Sequence, residues 1–156
     1  MHSVTAHSAP RYSSPWYPDS GATHHVTPDL SQLHIHEDYA GSDRMRVADV
    51  AGIPIKHVGS STVFANSRTF QLNHILHVPA MTKNLLSVRR FCADNNAKFE
   101  FTASGFTVKD QATQTPILSG TTHNGLYVFP SPPPSALHVG RPVIQHRSSR
   151  LMEIIV

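Results

Sequence analysis

The chain has 156 residues, of which 39% are hydrophobic, and it carries a formal net charge of +3. This length suits one domain with short tails, because single domains most often contain roughly 100–150 residues. No long run of like charges marks a nucleic-acid-binding stripe, the single cysteine excludes an internal disulfide and a Cys-x-x-Cys zinc site, and no apolar stretch is long enough to span a membrane.

The predicted elements begin after a polar lead. Residues 1–15 are rich in Ser, His and Pro without periodicity, which predicts a flexible segment. From Trp16 onward the hydrophobic period is mostly two, and this alternation predicts short strands in RMRVADV, FQLNHILHV, KFEF and FTVKD. Glycines fall between or beside these segments, where the backbone must turn. The pattern is typical of an all-β fold, either a small barrel or a sandwich.

One segment departs from this alternation. In TKNLLSVRRFCADNN, Thr82 is a candidate N-cap, and Leu85, Val88 and Cys92 recur at helical intervals. The spacing predicts one short helix over about residues 83–94. AKFEF then returns to the strand period.

A proline-rich stretch ends the patterned region near residue 130, since consecutive prolines remove backbone donors. We therefore expect a domain at residues 16–130 and a disordered, Pro-rich and basic tail at residues 131–156. The tail carries basic side chains at Arg141, His146, Arg147 and Arg150. Because no aromatic side chains are interleaved with them, a solvated end is favoured and no nucleic-acid partner is predicted. The closing LMEIIV is apolar enough either to dock on the domain or to aggregate.

The remaining polar residues predict no cofactor and no metal ion. The 12 histidines are scattered in pairs such as His24-His25, and we expect a mixture of surface and core side chains. The lead has no apolar segment of the kind that a secretion signal requires, and the lone Cys92 suits a reducing compartment. The expected location is therefore cytoplasmic, without contact to a membrane.

Asp19, Ser20 and Gly21 follow a short aromatic lead-in, Trp16-Tyr17-Pro18. A carboxylate on a sharp turn can activate water for peptide hydrolysis, a neighbouring hydroxyl can fix the loop, and a glycine lets a second backbone approach. The same tripeptide also makes an ordinary turn, in which Asp caps local amides. Taken alone, these three residues favour the ordinary turn.

Four segments resemble the protease region of copia-type retrotransposon Pol polyproteins. In family order they are WYPDSGATHHVTP at 16–28, HVGSSTV at 57–63, LNHILHVPAMTKNLLSVRRFCADN at 72–95 and GLYVF at 125–129. The resemblance covers about residues 16–130. It implies a small closed retropepsin-like β-barrel with the activity of an aspartic-type endopeptidase. It implies that Asp19 is the catalytic aspartate, and that its supporting loop is formed by Ser20, Gly21, Ala22 and Thr23.

The resemblance also implies a homodimer. Asp-Ser-Gly occurs once in the chain, whereas this chemistry needs two facing carboxylates that share one proton. One Asp19 from each subunit would complete the pair, and the substrate would be a Gag-Pol-type polyprotein inside a cytoplasmic virus-like particle. A histidine that relatives also carry falls at His25; a capping or packing role is favoured there over metal binding.

Two departures from the family pattern support an alternative, a catalytically inactive retrotransposon remnant or a domesticated β-barrel binding module. Where relatives usually carry a Gly-Asn-Gly-like hairpin turn, residues 47–52 read VADVAG and keep one glycine. We therefore expect a rebuilt or stiffened hairpin. The tail also lacks the Trp-His and Leu-Gly-His-Pro sequence motifs that relatives carry before their integrase.

Overall fold

The computed structural model describes residues 14–130 and the backbone of residues 152–154. Within these ranges the chain forms thirteen β-strands, the helix α1 (Val88–Asn95) and a short 3₁₀ turn at Leu30–Gln32. The strands are β1 (Trp16–Asp19), β2 (Val26–Thr27), β3 (Ile35–Asp38), β4 (Arg44–Val47), β5 (Val50–Pro54), β6 (His57–Ala65), β7 (Arg68–His77), β8 (Asn84–Ser87), β9 (Ala97–Phe101), β10 (Gly105–Asp110), β11 (Pro116–His123), β12 (Leu126–Val128) and β13 (Met152–Ile154). Most of the predicted lead lies outside the described residues.

The strands form three sheets. A six-stranded sheet has the order β1-β8-β2-β7-β6-β3, a four-stranded sheet has the order β12-β11-β10-β9, and a three-stranded sheet has the order β13-β4-β5. Most neighbours are antiparallel, but β1 pairs in parallel with β8 and β2 pairs in parallel with β7. The β1–β8 pairing places the end of β1 beside the start of α1.

Two hydrophobic clusters cover opposite faces of the six-stranded sheet. The first joins this sheet to the four-stranded sheet and to α1, and its centre is aromatic, with Phe70, Phe91 and Phe129 fully buried. The second joins the sheet to the β4–β5 hairpin and includes Met45. Neighbouring residues of β8 go to different clusters, Leu86 to the first and Leu85 to the second. Strand β8 is therefore buried on both faces.

The predicted fold class, a small all-β barrel with one short helix, is confirmed, but the helix starts later than predicted. Residues Asn84–Ser87, which the spacing assigned to its first turn, form strand β8 with every residue buried. The N-cap is Ser87, whose side chain accepts a hydrogen bond from the amide of Arg90, and not Thr82. A strand buried on both faces is a continuous apolar run, and periodicity alone does not separate such a run from a buried helix.

The β4–β5 hairpin forms although it lacks a glycine pair. Ala48 occupies the left-handed region of backbone space with φ 48°, and Gly52 has φ 81°. A strand of the predicted tail, β13, pairs in parallel with β4 in the register Met152↔Met45. The other residues of that tail, 131–151 and 155–156, lie outside the described residues.

Candidate functional site

Asp19 is the last residue of β1, an end strand of the six-stranded sheet, and it stands opposite Ser87, the last residue of β8. Its Oδ1 accepts a hydrogen bond of 2.7 Å from the amide of Gly21. Ser20 and Gly21 are exposed, and Asp19 itself is partly exposed. Asp19 therefore makes the turn contact that the tripeptide predicts, and the residue remains partly exposed to solvent.

Ala22 and Ser87 fasten this loop to the core. The Ala22 side chain is 3% exposed and belongs to the second hydrophobic cluster. The Oγ of Ser87 donates a hydrogen bond of 2.7 Å to the Ala22 carbonyl and accepts one of 3.4 Å from the amide of Arg90. One buried hydroxyl thus holds the Asp19 loop and also caps the first turn of α1.

His25 makes a second contact to the same strand end. Its Nδ1 accepts a hydrogen bond of 3.0 Å from the amide of Ser87, so the ring is neutral with its proton on Nε2. Burial, and then the positive charge of Arg90, lowers the pKa of His25 to about 3. Nε2 is buried without a hydrogen-bond partner among the described residues, and the Trp16 ring lies perpendicular to the imidazole at 6.4 Å between centroids. His25 is therefore a buried acceptor that fixes the Ser87 backbone.

Arg90 links α1 to the outer half of the loop. Its Nε donates a hydrogen bond of 2.7 Å to the Thr23 carbonyl, and its Nη2 lies 2.7 Å from Nε2 of His24. Nδ1 of His24 is 3.1 Å from Oγ1 of the exposed Thr23. Burial and then the Arg90 charge lower the pKa of His24 to about 4. The neutral His24 ring therefore accepts from Arg90 and donates to the Thr23 hydroxyl.

The structure places all five predicted site residues, Asp19 to Thr23, in one loop. Sequence reasoning missed the residues that support this loop, namely Ser87, Arg90 and His24. Ser87 lies in the segment NLLSV, whose spacing predicts the start of a helix. The signal in the sequence is the position of Ser87, a polar residue between the apolar pair Leu85-Leu86 and a helix, which is typical of an N-cap. Its second role, the hydrogen bond to the Asp19 loop, has no such signal.

Among the described residues, no group of three or more His, Cys, Asp and Glu side chains has a geometry that could hold a metal ion. Helix α1 is too short to cross a bilayer, and no other described helix is long and apolar enough to do so.

Residues 16–96 match the sequence model of the family described as "Pol polyprotein, beta-barrel domain". The chain belongs to this family. The Pol β-barrel domain is also 45% identical over 122 residues to the "Retrovirus-related Pol polyprotein from transposon RE1" and 43% identical over 123 residues to that from transposon RE2, both from Arabidopsis thaliana. The resemblance to copia-type retrotransposon Pol polyproteins is thereby confirmed.

These matches cover 78% and 79% of the chain but only 8% of each Arabidopsis polyprotein. The Pol β-barrel domain thus corresponds to a small part of its relatives. No solved structure matches it. The family match includes the Asp19 loop together with all of β8 and α1, the elements that hold the loop in place.

Proposed function

We propose that this Pol β-barrel domain is an aspartic-type endopeptidase, a hydrolase that cleaves peptide bonds of a Gag-Pol-type polyprotein. The observation that carries the proposal is the Asp19 carboxyl group, which lies on an accessible loop at the end of a buried sheet. The loop is held from below by Ser87 at the Ala22 carbonyl and by Arg90 at the Thr23 carbonyl. A rigid backbone beneath a reactive carboxyl group is what positioned acid–base chemistry needs.

The chemistry requires a second carboxyl group, and the proposal takes it from a second copy of the chain. Two facing Asp19 side chains cannot both ionise at close range, so they hold one proton between them. The ionised carboxylate removes a proton from water, and the protonated carboxyl group donates to the carbonyl oxygen of the scissile peptide. The exposed loop residues Ser20 and Gly21 leave room for a symmetric partner at the end of the sheet.

The proposal is tested with the purified chain and a proteome-derived peptide library, with cleavage read by mass spectrometry between about pH 4 and 7. We expect a bell-shaped pH dependence, and at low protein concentration a rate that rises with the square of concentration, because the active species is the dimer. Asp19→Asn should abolish cleavage. Asp94→Asn, at an exposed position on α1, is the matched control and should cleave normally.

Three outcomes contradict parts of this proposal. Equal turnover by Asp19→Asn and the unsubstituted chain excludes Asp19 as the catalytic acid. Activity that sediments with the monomer excludes the homodimer. A folded, dimeric chain that cleaves nothing in the library favours the inactive binding module.

A further inference from the structure

Two β-hairpins of the protein turn through the same kind of loop. Asn66 and Ser67 connect β6 to β7, and Asn124 and Gly125 connect β11 to β12. In chain order these four residues have φ 50°, 64°, 50° and 77°. Two successive positive φ values in a two-residue hairpin loop define a type I′ turn. All four residues are exposed, so the two turns differ in side-chain chemistry and not in backbone shape or exposure.

The asparagine of the first turn is held in place. Nδ2 of Asn66 donates a hydrogen bond to the Ile117 carbonyl, which restricts the carboxamide group. The next residue, Ser67, carries a side chain that crowds its own backbone nitrogen. Both features hinder a reaction between the Asn66 side chain and the amide that follows it.

The asparagine of the second turn lacks both restraints. Among the residues that the structure describes, the Asn124 side chain makes no hydrogen bond. Gly125 has no side chain, and a Cβ placed there would meet no atom within 4 Å. The carboxamide of Asn124 and the backbone nitrogen of Gly125 can therefore approach each other when the turn opens. Strand β12 has only three residues, and short hairpin ends of this kind open locally.

From this contrast we propose that Asn124 is a site of spontaneous deamidation. The Gly125 amide loses its proton to a base, and its nitrogen forms a bond to Cγ of Asn124. The bond from Cγ to Nδ2 breaks, and Nδ2 takes up a proton and leaves as ammonia. The product is a five-membered succinimide ring, which one water molecule then opens at either carbonyl. The sum is the gain of water and the loss of ammonia, and the final residue is aspartate or isoaspartate.

The isoaspartyl product changes the length of the turn. Its backbone runs through Cβ and Cγ of the former asparagine side chain, which adds one atom to the main chain. The two-residue loop sets the register His123↔Leu126, so the extra atom disrupts the pairing of β12 with β11. The bridge Phe129↔Trp16 joins the following residue to β1, the strand that ends at Asp19. Deamidation therefore loosens the junction between β12 and this strand.

The test incubates the full chain at neutral pH and follows its asparagines over time by peptide mapping with mass spectrometry. Deamidation changes the peptide mass, and fragmentation of the peptide distinguishes isoaspartate from aspartate. We expect Asn124 to react at least about tenfold faster than Asn66, which corresponds to about 1.4 kcal/mol of activation free energy. Asn66 is the internal control, because it lies in a turn of the same backbone shape.

Two substitutions separate the chemistry from the turn. Gly125→Ser gives the second turn the dipeptide that the first turn already accommodates at φ 64°, and it should slow deamidation of Asn124 about tenfold. Asn124→Gly removes the carboxamide and keeps a residue that readily adopts a positive φ. This variant should show no mass change in the peptide that contains the turn.

Amide hydrogen exchange tests the structural consequence. The isoaspartyl chain is separated from the unmodified chain by its added negative charge, and exchange in β12 is compared with exchange in β10, a central strand of the same sheet. Relative to β10, we expect β12 to exchange about fivefold faster in the isoaspartyl chain. Freshly purified Asn124→Asp carries the same charge without the extra backbone atom, and it should exchange like the unmodified chain.

Two results would overturn the inference. One is deamidation of Asn124 and Asn66 at equal rates in the folded chain. The other is an isoaspartyl chain in which β12 exchanges no faster than it does in Asn124→Asp. Neither readout depends on peptide cleavage, so the deamidation site stands or fails separately from the proposed endopeptidase activity.

Discussion

The side-chain oxygen of Ser87 donates a 2.7 Å hydrogen bond to the carbonyl of Ala22, a residue 65 positions earlier in the chain. Both residues are buried, and the same oxygen caps helix α1. The carboxyl group of Asp19 and the start of the helix therefore share one support. A change at Ser87 is expected to affect both.

Ser87→Ala should lower the free energy of unfolding by about 1–3 kcal/mol, because it leaves the buried Ala22 carbonyl without this donor and removes the helix N-cap. Urea unfolding followed by circular dichroism measures the change. Ser119→Ala, at an exposed position on β11, is the control and should stay within about 0.5 kcal/mol. Equal stability of the two variants would show that the Ser87 hydroxyl does not hold the loop.

Stability should fall as the solution is acidified, and His25 should account for much of the loss. Its folded pKa of about 3 lies below the unfolded value of about 6.5, so the unfolded chain binds the proton more readily. The neutral His25 ring contributes fully to the free energy of unfolding above about pH 6.5, and this contribution is lost as the pH falls toward 3. Between pH 6.5 and 4.5 the expected loss from His25 is about 2–3 kcal/mol.

His25→Asn isolates this effect, because the amide oxygen can still accept the Ser87 backbone bond but does not titrate. The variant should start from a lower stability at pH 7 and should lose about 2–3 kcal/mol less on acidification to pH 4.5. Urea titrations at both pH values make the comparison, with the exposed His34→Gln as control. An unchanged acid dependence in His25→Asn would contradict a neutral buried His25.

Ala48→Gly should stabilise the protein by about 0.5 kcal/mol. Ala48 has φ 48°, a backbone conformation that costs a residue with a side chain about 1 kcal/mol, and glycine removes this cost. Part of the gain in stability is lost because glycine makes the unfolded state more disordered. Ala51→Gly, in the same hairpin but not at a positive φ, is the matched control and should destabilise by about 0.5–1 kcal/mol. Thermal unfolding of the two variants tests the contrast, and a shift of the same sign in both would refute it.

The sequence predicts most strands of this fold well. Alternation in the segment FQLNHILHV identified a strand, and its Phe70 and Leu72 are both fully buried in the first cluster. The boundary between β8 and α1 was not predictable from period alone, because the strand is buried on both faces. Only its pairing with β1 and β2, which lie far away in sequence, decides that residues 84–87 are extended.

The candidate site, like the fold, is only partly predictable from the sequence. The predicted loop from Asp19 to Thr23 is a contiguous motif, so it can be proposed from the sequence alone. Its support is not contiguous, since Ser87 and Arg90 reach it through hydrogen bonds that span 65 and 67 positions. The role of His25 also depends on one such bond, and neither composition nor local spacing carries that information.

The parallel pairing of β1 with β8 has a consequence for the order of events during synthesis. The Asp19 loop leaves the ribosome well before Ser87 and Arg90, which lie 65 and 67 positions downstream of the carbonyls that they hold. At about 5–20 residues per second, the loop would wait roughly 3–13 s for its supports. The nascent chain therefore carries the Asp19 loop for that interval without the two side chains that later hold its backbone carbonyls.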